Sequence, residues 1–154
     1  MNILMVCLGN ICRSPMAEGV LRHMATEHGL PVRTDSAGTS HYHVGEAPDR
    51  RATASMRRHG IDISDLRARQ FVADDFHRFD LILAMDESNL ANIRALAPHP
   101  ELAAKARLIM DLVPEHALRS VPDPYYGGDE GFEQVYAMLT EACAVLIKDL
   151  RTHG

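Results

Sequence analysis

A cysteine and an arginine, Cys7 and Arg13, bracket the segment Cys7-Leu8-Gly9-Asn10-Ile11-Cys12-Arg13-Ser14-Pro15 near the start of the chain. The apolar run Ile3-Leu4-Met5-Val6 precedes it and reads as a strand. A proline able to open a helix follows it. A loop that closes on a helix N-terminus gathers backbone N–H groups and the positive end of the helix dipole. It is a socket for a tetrahedral oxyanion. Helix N-termini and nearby cations bring cysteine pKa values from about 8.5 into the range of roughly 3.5–7.5, so a thiolate nucleophile suits the base of such a loop. Arg13 offers a planar fork matched to two phosphoryl oxygens. Gly9 suits close backbone approach to an anion. Asn10 tolerates left-handed backbone and can bond its own loop. Ser14 reads as a helix N-cap with Pro15 at the first helical position, and its hydroxyl can also donate to the Cys7 sulfur. The spacing alone is weakly specific; its place between a strand and a proline-opened helix gives it weight. No Gly-Lys-Ser/Thr ending marks a nucleotide loop. Cys7 and Cys12 are too far apart for a Cys-x-x-Cys zinc pair.

A second chemical feature lies far along the chain, at Val121-Pro122-Asp123-Pro124-Tyr125-Tyr126-Gly127-Gly128. Two prolines stiffen the backbone around one aspartate, and two glycines release it into a turn. Asp123 can protonate a departing oxygen and then activate water, and the tyrosines can wall a pocket. The competing reading is a surface turn with Asp123 as its cap.

Together the two motifs resemble the low-molecular-weight protein tyrosine phosphatases, over essentially the whole chain. The stretches Asp35-Ser36-Ala37-Gly38-Thr39, Arg58-His59-Gly60-Ile61, Ala68-Arg69-Gln70 and Met85-Asp86-Glu87-Ser88-Asn89-Leu90 share the resemblance. It implies that Cys7 is the nucleophile, Arg13 the phosphate-binding arginine and Asp123 the general acid. It implies substrate contacts from the loop residues Leu8, Gly9, Asn10, Ile11, Cys12 and Ser14, with Asn10, Ser14 and Ser36 holding the loop in shape. Tyr42 falls at the pocket wall. Tyr125 and Tyr126 fall at its rim, where some members carry phosphorylated tyrosines. Cys12 matches a second cysteine that can pair reversibly with the nucleophile under oxidation. One departure stands out: the histidine that often precedes Ala-Arg-Gln and bonds the loop asparagine is absent from Ser64-Asp65-Leu66-Arg67.

At 154 residues the chain is expected to form one domain, residues 1–154. Its net charge of −5 argues against nucleic acid as a partner. Arg50, Arg51, Arg57 and Arg58 cluster on one expected helix, as a solvated face or as a steering patch for acidic substrates. Three cysteines make no disulfide framework. Cys143 lies on the stripe Phe132, Val135, Tyr136, Leu139, Cys143, Leu146, Leu150 and reads as core. His41 and His43 lack a partner pair and read as surface residues. With no apolar run long enough for a membrane and no room for a signal peptide, the expected compartment is the cytoplasm.

Strand and helix segments alternate: strands at Ile3–Val6, Val32–Ser36, Leu81–Met85 and Ala106–Met110, with helices at Pro15–Glu27, Asp49–His59, Asp86–Ala97 and Phe132–Leu150. The stretch from Ile61 to Arg78 reads as irregular with one helical turn. The expected fold class is α/β, a central parallel sheet of about four strands with helices on both faces. Cys7 then sits at the carboxyl end of strand one, where such sheets bind ligands.

The expected chemistry is phosphotyrosine hydrolysis on protein substrates through a phosphocysteine, with phosphate and other oxyanions as inhibitors and no cofactor or metal. Three other readings stay open. A reductase of arsenate would need further relay cysteines, and only Cys143 lies in the second half. A protein-arginine phosphatase typically has threonine where Ile11 stands. A non-catalytic phosphotyrosine binder would have lost the nucleophile or the acid.

Overall fold

The computed structural model describes residues 1–153. In chain order the elements are β1 Asn2–Cys7, α1 Arg13–Glu27, β2 Arg33–Gly38, α2 Arg50–Arg58, α3 Asp75–Arg78, β3 Leu81–Ala84, α4 Glu87–Ala95, α5 Pro100–Ala103, β4 Ala106–Leu108 and α6 Asp129–His153. The four strands form one parallel sheet in the order β2-β1-β3-β4. The expected α/β class and strand number are those observed.

β1 is central, and Ile3 to Cys7 are buried on both faces, which explains the unbroken apolar run. Ile3, Met5 and Cys7 join one core with α1, α2 and α6. Leu4 and Val6 join the other, with Phe71, Phe76 and Ile93. On α6 the stripe residues Phe132, Val135, Leu139, Cys143 and Leu146 are buried, so Cys143 is core as its spacing indicated.

Several boundaries differ from the sequence reading. α1 starts at Arg13, with Cys12 in the cap position and no side-chain cap, so Ser14 is not the N-cap. Ser14 is fully buried, and its hydroxyl is engaged by Asn10 and Cys7 instead. Pro15 still fits inside the first turn, where its missing N–H has no helical partner to lose. β4 is shorter than expected because the chain tightens into a 3-10 turn at Ile109–Leu112. The single turn α5 was not foreseen. β2 runs two residues further, to Gly38.

That extension bears on the site. The chain goes out to β2 and returns across β1 to β3, so the crevice beyond β1 and β3 is the switch point of the sheet. Gly38, at the end of β2, packs directly under the loop after β1. A Cβ there would lie 2.7 Å from the Leu8 carbonyl oxygen and 3.1 Å from the Asn10 nitrogen. Gly38→Ala should therefore lower unfolding free energy by about 1–3 kcal/mol in urea titration. A change within about 0.3 kcal/mol would mean that the loop moves aside freely.

Candidate active site

The loop from Cys7 to Arg13 is tied outward by its carbonyls. Thr39 N donates to Cys7 O at 2.9 Å, Ser40 N to Leu8 O at 2.9 Å and Asp49 N to Ile11 O at 2.8 Å. With those oxygens occupied on the outside, loop N–H groups are left for the concave side. Asn10 makes the reversal, with φ +57°, the left-handed value that asparagine tolerates best after glycine.

The Asn10 side chain is fully engaged. Its Oδ1 accepts from Arg69 N at 3.0 Å, and its Nδ2 donates to Ser14 Oγ at 2.8 Å and Ser36 Oγ at 2.9 Å. Arg69 belongs to Ala68-Arg69-Gln70, which bridges the end of β2 through Gly38. The Arg69 backbone amide is thus what holds the Asn10 carbonyl oxygen, and Leu66 and Asp65 take no part in it. Because Ser14 Oγ accepts from Asn10, its own proton is free for Cys7 Sγ, 3.0 Å away. Asn10 N also donates to that sulfur at 3.3 Å. Ser36 in turn donates to Glu18 Oε1 at 2.6 Å.

Arg13 is 3 % exposed and spans the switch point. One terminal nitrogen donates to Asp86 Oδ2 at 2.7 Å and to Val121 O at 3.0 Å. The other lies 3.8 Å from Asp123 Oδ2. Its Nε is buried and has no hydrogen-bond partner among the described residues. Asp86 also caps α4 through Oδ1, which accepts from Asn89 N at 2.7 Å. The sequence revealed only the cap; its second oxygen supplies the charge that a buried guanidinium needs.

Cys7, Arg13 and Asp123 line one open cavity of about 290 Å³. Leu8, Gly9, Ile11 and Cys12 line it from the loop, and Tyr42, Tyr125 and Tyr126 from elsewhere. Tyr42 and Tyr126 are strongly exposed. Asn10, Ser14 and Ser36 do not line it; they lie buried as supports. Asp123 Oδ1 accepts from Tyr125 N at 3.0 Å, so it does cap its turn, while Oδ2 is the oxygen turned toward Arg13. The turn-cap reading of Asp123 therefore holds for one oxygen, and the other stays outside the turn.

His43 corrects the reading of the histidines. It is half-buried, lines the cavity, and its Nδ1 lies 3.0 Å from Glu46 Oε2. Glu46 is its partner, three residues on. Gly9 serves this packing as well, since a Cβ there would lie 3.1 Å from His43 Cδ2. Of the arginine cluster, Arg50, Arg57 and Arg58 are exposed. Arg58 is paired with Glu133.

Cys7, Cys12 and Cys143 are all free thiols. Burial, reinforced by Asp49 and Cys7, pushes the Cys12 thiol well up, and burial alone pushes Cys143 up to about 12. Among the described residues, no group of three His, Cys, Asp or Glu side chains could hold a metal ion. No described helix is long and apolar enough to cross a membrane.

A loop running from a cysteine to a buried arginine, set at the switch point of a parallel sheet, has the form of an oxyanion site. Residues 2–154 match the family described as low molecular weight phosphotyrosine protein phosphatase. The human low molecular weight phosphotyrosine protein phosphatase is 43% identical over 150 residues, covering 96% of this chain and 94% of the human one. A solved protein tyrosine phosphatase from Entamoeba histolytica, with Hepes in its active site, superposes with a TM-score of 0.93 at 39% identity, covering 99% of this chain and 97% of that one. A solved Drosophila arginine phosphatase also superposes at 0.93, with 32% identity and 100% of both chains covered. The chain belongs to the low molecular weight phosphotyrosine protein phosphatase family, and it is a protein-tyrosine-phosphatase.

Glu18 was missed by sequence reasoning, since nothing local distinguishes one glutamate on a helix. Burial raises its pKa from an ordinary 4.5 to about 7, against the opposing pull of the Ser36 hydroxyl. Asp35 and Asp65 push in the same direction, and Arg22 opposes. The native state therefore holds a proton that the unfolded chain releases. That contribution to stability is complete below about pH 4.5 and is lost as pH rises through about 7. Urea unfolding of wild type and Glu18→Gln should show wild type losing ground to the variant by up to ~3 kcal/mol across this window. A constant difference from pH 4 to 8 would contradict the assignment.

Proposed function

We propose that the chain hydrolyses phosphotyrosine in proteins by two displacements at phosphorus. The substrate phosphate docks on the loop N–H groups and the Arg13 guanidinium. The Cys7 sulfur attacks in line, forming the S–P bond as the P–O bond to the phenol breaks. Asp123 gives its proton to the departing phenolic oxygen. The Asp123 carboxylate then takes a proton from water, which attacks phosphorus, releases inorganic phosphate and returns the sulfur. Ser14 donates to that sulfur as it leaves. Arg13 follows the equatorial oxygens through both steps. The chemistry of these residues calls for no cofactor.

The observation that carries this reading is the meeting of Cys7, Arg13 and Asp123, from two distant parts of the chain, around one cavity. The partnerless buried Nε of Arg13 supports an oxyanion as the missing partner. Tyr42, Tyr125 and Tyr126 suit an aromatic leaving group. The likeness to a Drosophila arginine phosphatase makes phosphoarginine the natural competitor. Ile11 favours the phenolic ester, since it presents an apolar side chain to the same cavity.

Phosphate release from matched phosphotyrosine, phosphoserine and phosphoarginine peptides, in EDTA, tests this directly. Release is expected from phosphotyrosine alone. It should vanish in Cys7→Ser and fall by about 10²–10⁴ in Asp123→Ala. Preference for phosphoarginine would overturn the role given to Ile11, and turnover in Cys7→Ser would overturn the mechanism.

Cys12 is assigned a protective role. Peroxide oxidises the Cys7 thiolate to a sulfenic acid, and the Cys12 thiol displaces water from it to form a disulfide. Activity lost to peroxide should return with dithiothreitol in wild type and largely fail to return in Cys12→Ser. Equal recovery in both would remove Cys12 from this role.

A further inference from the structure

The segment that carries Asp123 is held to the rest of the protein at few points. Val121 is pinned on both sides, its N–H donating to Met85 O at 2.8 Å and its carbonyl accepting from Arg13. Beyond it, the bonds of Tyr125 N to Asp123 and of Gly127 N to Pro124 O are internal to the turn. Among the described residues, the only hydrogen bonds reaching Pro122 to Gly127 from outside come from one side chain, Arg51.

Arg51 is fully committed. Its Nη2 donates to Tyr125 O at 2.7 Å and its Nη1 to Gly127 O at 3.0 Å. Its Nε and Nη2 also face the two oxygens of Asp49, at 3.2 and 3.3 Å. The guanidinium lies over the Phe132 ring at 4.8 Å and the Tyr125 ring at 5.7 Å. Burial of Asp49 opposes its ionisation, but the Arg51 side chain and backbone donors outweigh that and hold it below the usual carboxylate range. Asp49 itself is not free to move. It caps α2 through Arg51 N, and its own N–H holds Ile11 O of the anion loop at 2.8 Å. A single turn of α2 thus touches both the loop of the nucleophile and the turn of the acid.

We propose that Arg51, braced by Asp49, is a positioning residue that sets the reach of the proton donor across the cavity. It touches neither substrate nor reacting atoms. It fixes the Tyr125 and Gly127 carbonyls of the turn that begins at Asp123, so the carboxyl meets the leaving oxygen at a set distance from the Cys7 sulfur. The proposal rests on Asp123 being the general acid. A rigid fork is needed, because one ammonium cannot span two carbonyls and a carboxylate together.

The test is kcat/KM on phenyl phosphate, whose leaving oxygen needs a proton, and on dinitrophenyl phosphate, whose leaving oxygen does not. Wild type, Arg51→Met, Arg51→Lys, Asp123→Ala and the Asp123→Ala/Arg51→Met double variant are compared. Met keeps the stem packed on Phe132, and Lys keeps the charge. Thermal unfolding and competitive inhibition by inorganic phosphate report whether fold and anion loop persist. The expected result is a loss of about 10- to 100-fold on phenyl phosphate and under about threefold on dinitrophenyl phosphate, in both Arg51 variants. Phosphate inhibition should stay within about twofold, and in the Asp123→Ala background Arg51→Met should cost almost nothing further. Equal losses on both esters, or full additivity with Asp123→Ala, would overturn the proposal while leaving the acid in place. If Asp123→Ala itself loses equally on both esters, the acid assignment fails, and the proposal with it.

Discussion

One side chain amide sets the geometry on which the site depends. Asn10 keeps its backbone in the left-handed region while its carboxamide bonds a backbone N–H and two serine hydroxyls. Each of those bonds fixes something else. The Arg69 N–H ties the loop to the segment beside β2. Ser14 is turned so that its proton faces the Cys7 sulfur. Ser36 extends the chain of donors to a buried carboxyl. A buried polar network of this kind is costly if any member is unpaired, so it specifies one arrangement. The anion loop is rigid because its supports are saturated.

The charges follow the same logic at a larger scale. A guanidinium with almost no exposure is stable only beside a carboxylate, and Asp86 supplies it from across the switch point. The partner comes from the end of β3, adjacent to β1 in the sheet though 73 residues away in sequence. The doubly wound order that places β3 beside β1 is therefore what allows a buried arginine at the mouth of the sheet. Val121 and Asp123 come to the same point from a third part of the chain.

What could be read in advance was what the chain encodes locally. The apolar run of β1, the cysteine-to-arginine spacing and the proline-framed aspartate each carry their meaning within a few residues. The alternation of apolar periods likewise gave the sheet and the faces of α6. Asp86, Glu18, Gly38 and the Arg69 amide carry no such local mark. Asp86 was visible as a cap because capping is local, but its bond to Arg13 exists only once β1 and β3 are side by side. Gly38 is required by a neighbour, the Leu8 carbonyl, that lies thirty residues earlier. The misread N-cap has the same cause: Ser14 has the right type for capping, and a tertiary network took its hydroxyl. His43 has no partner that its sequence neighbourhood announces, and Glu46 meets it only because the loop between β2 and α2 curls back on itself.

The contact between Arg13 and the Val121 carbonyl joins residues 108 positions apart. During synthesis the Cys7 loop is made well before the last wall of its socket, which comes from the segment around Val121. Parallel strands cannot pair until their crossovers exist, so such long-range closure comes late in folding. A nascent chain therefore carries the Cys7 thiol for as long as the intervening residues take to be made, before the socket that surrounds it can be built. A completed socket marks a completed fold, and a product truncated before Val121 would keep the thiol without the wall that closes on Arg13.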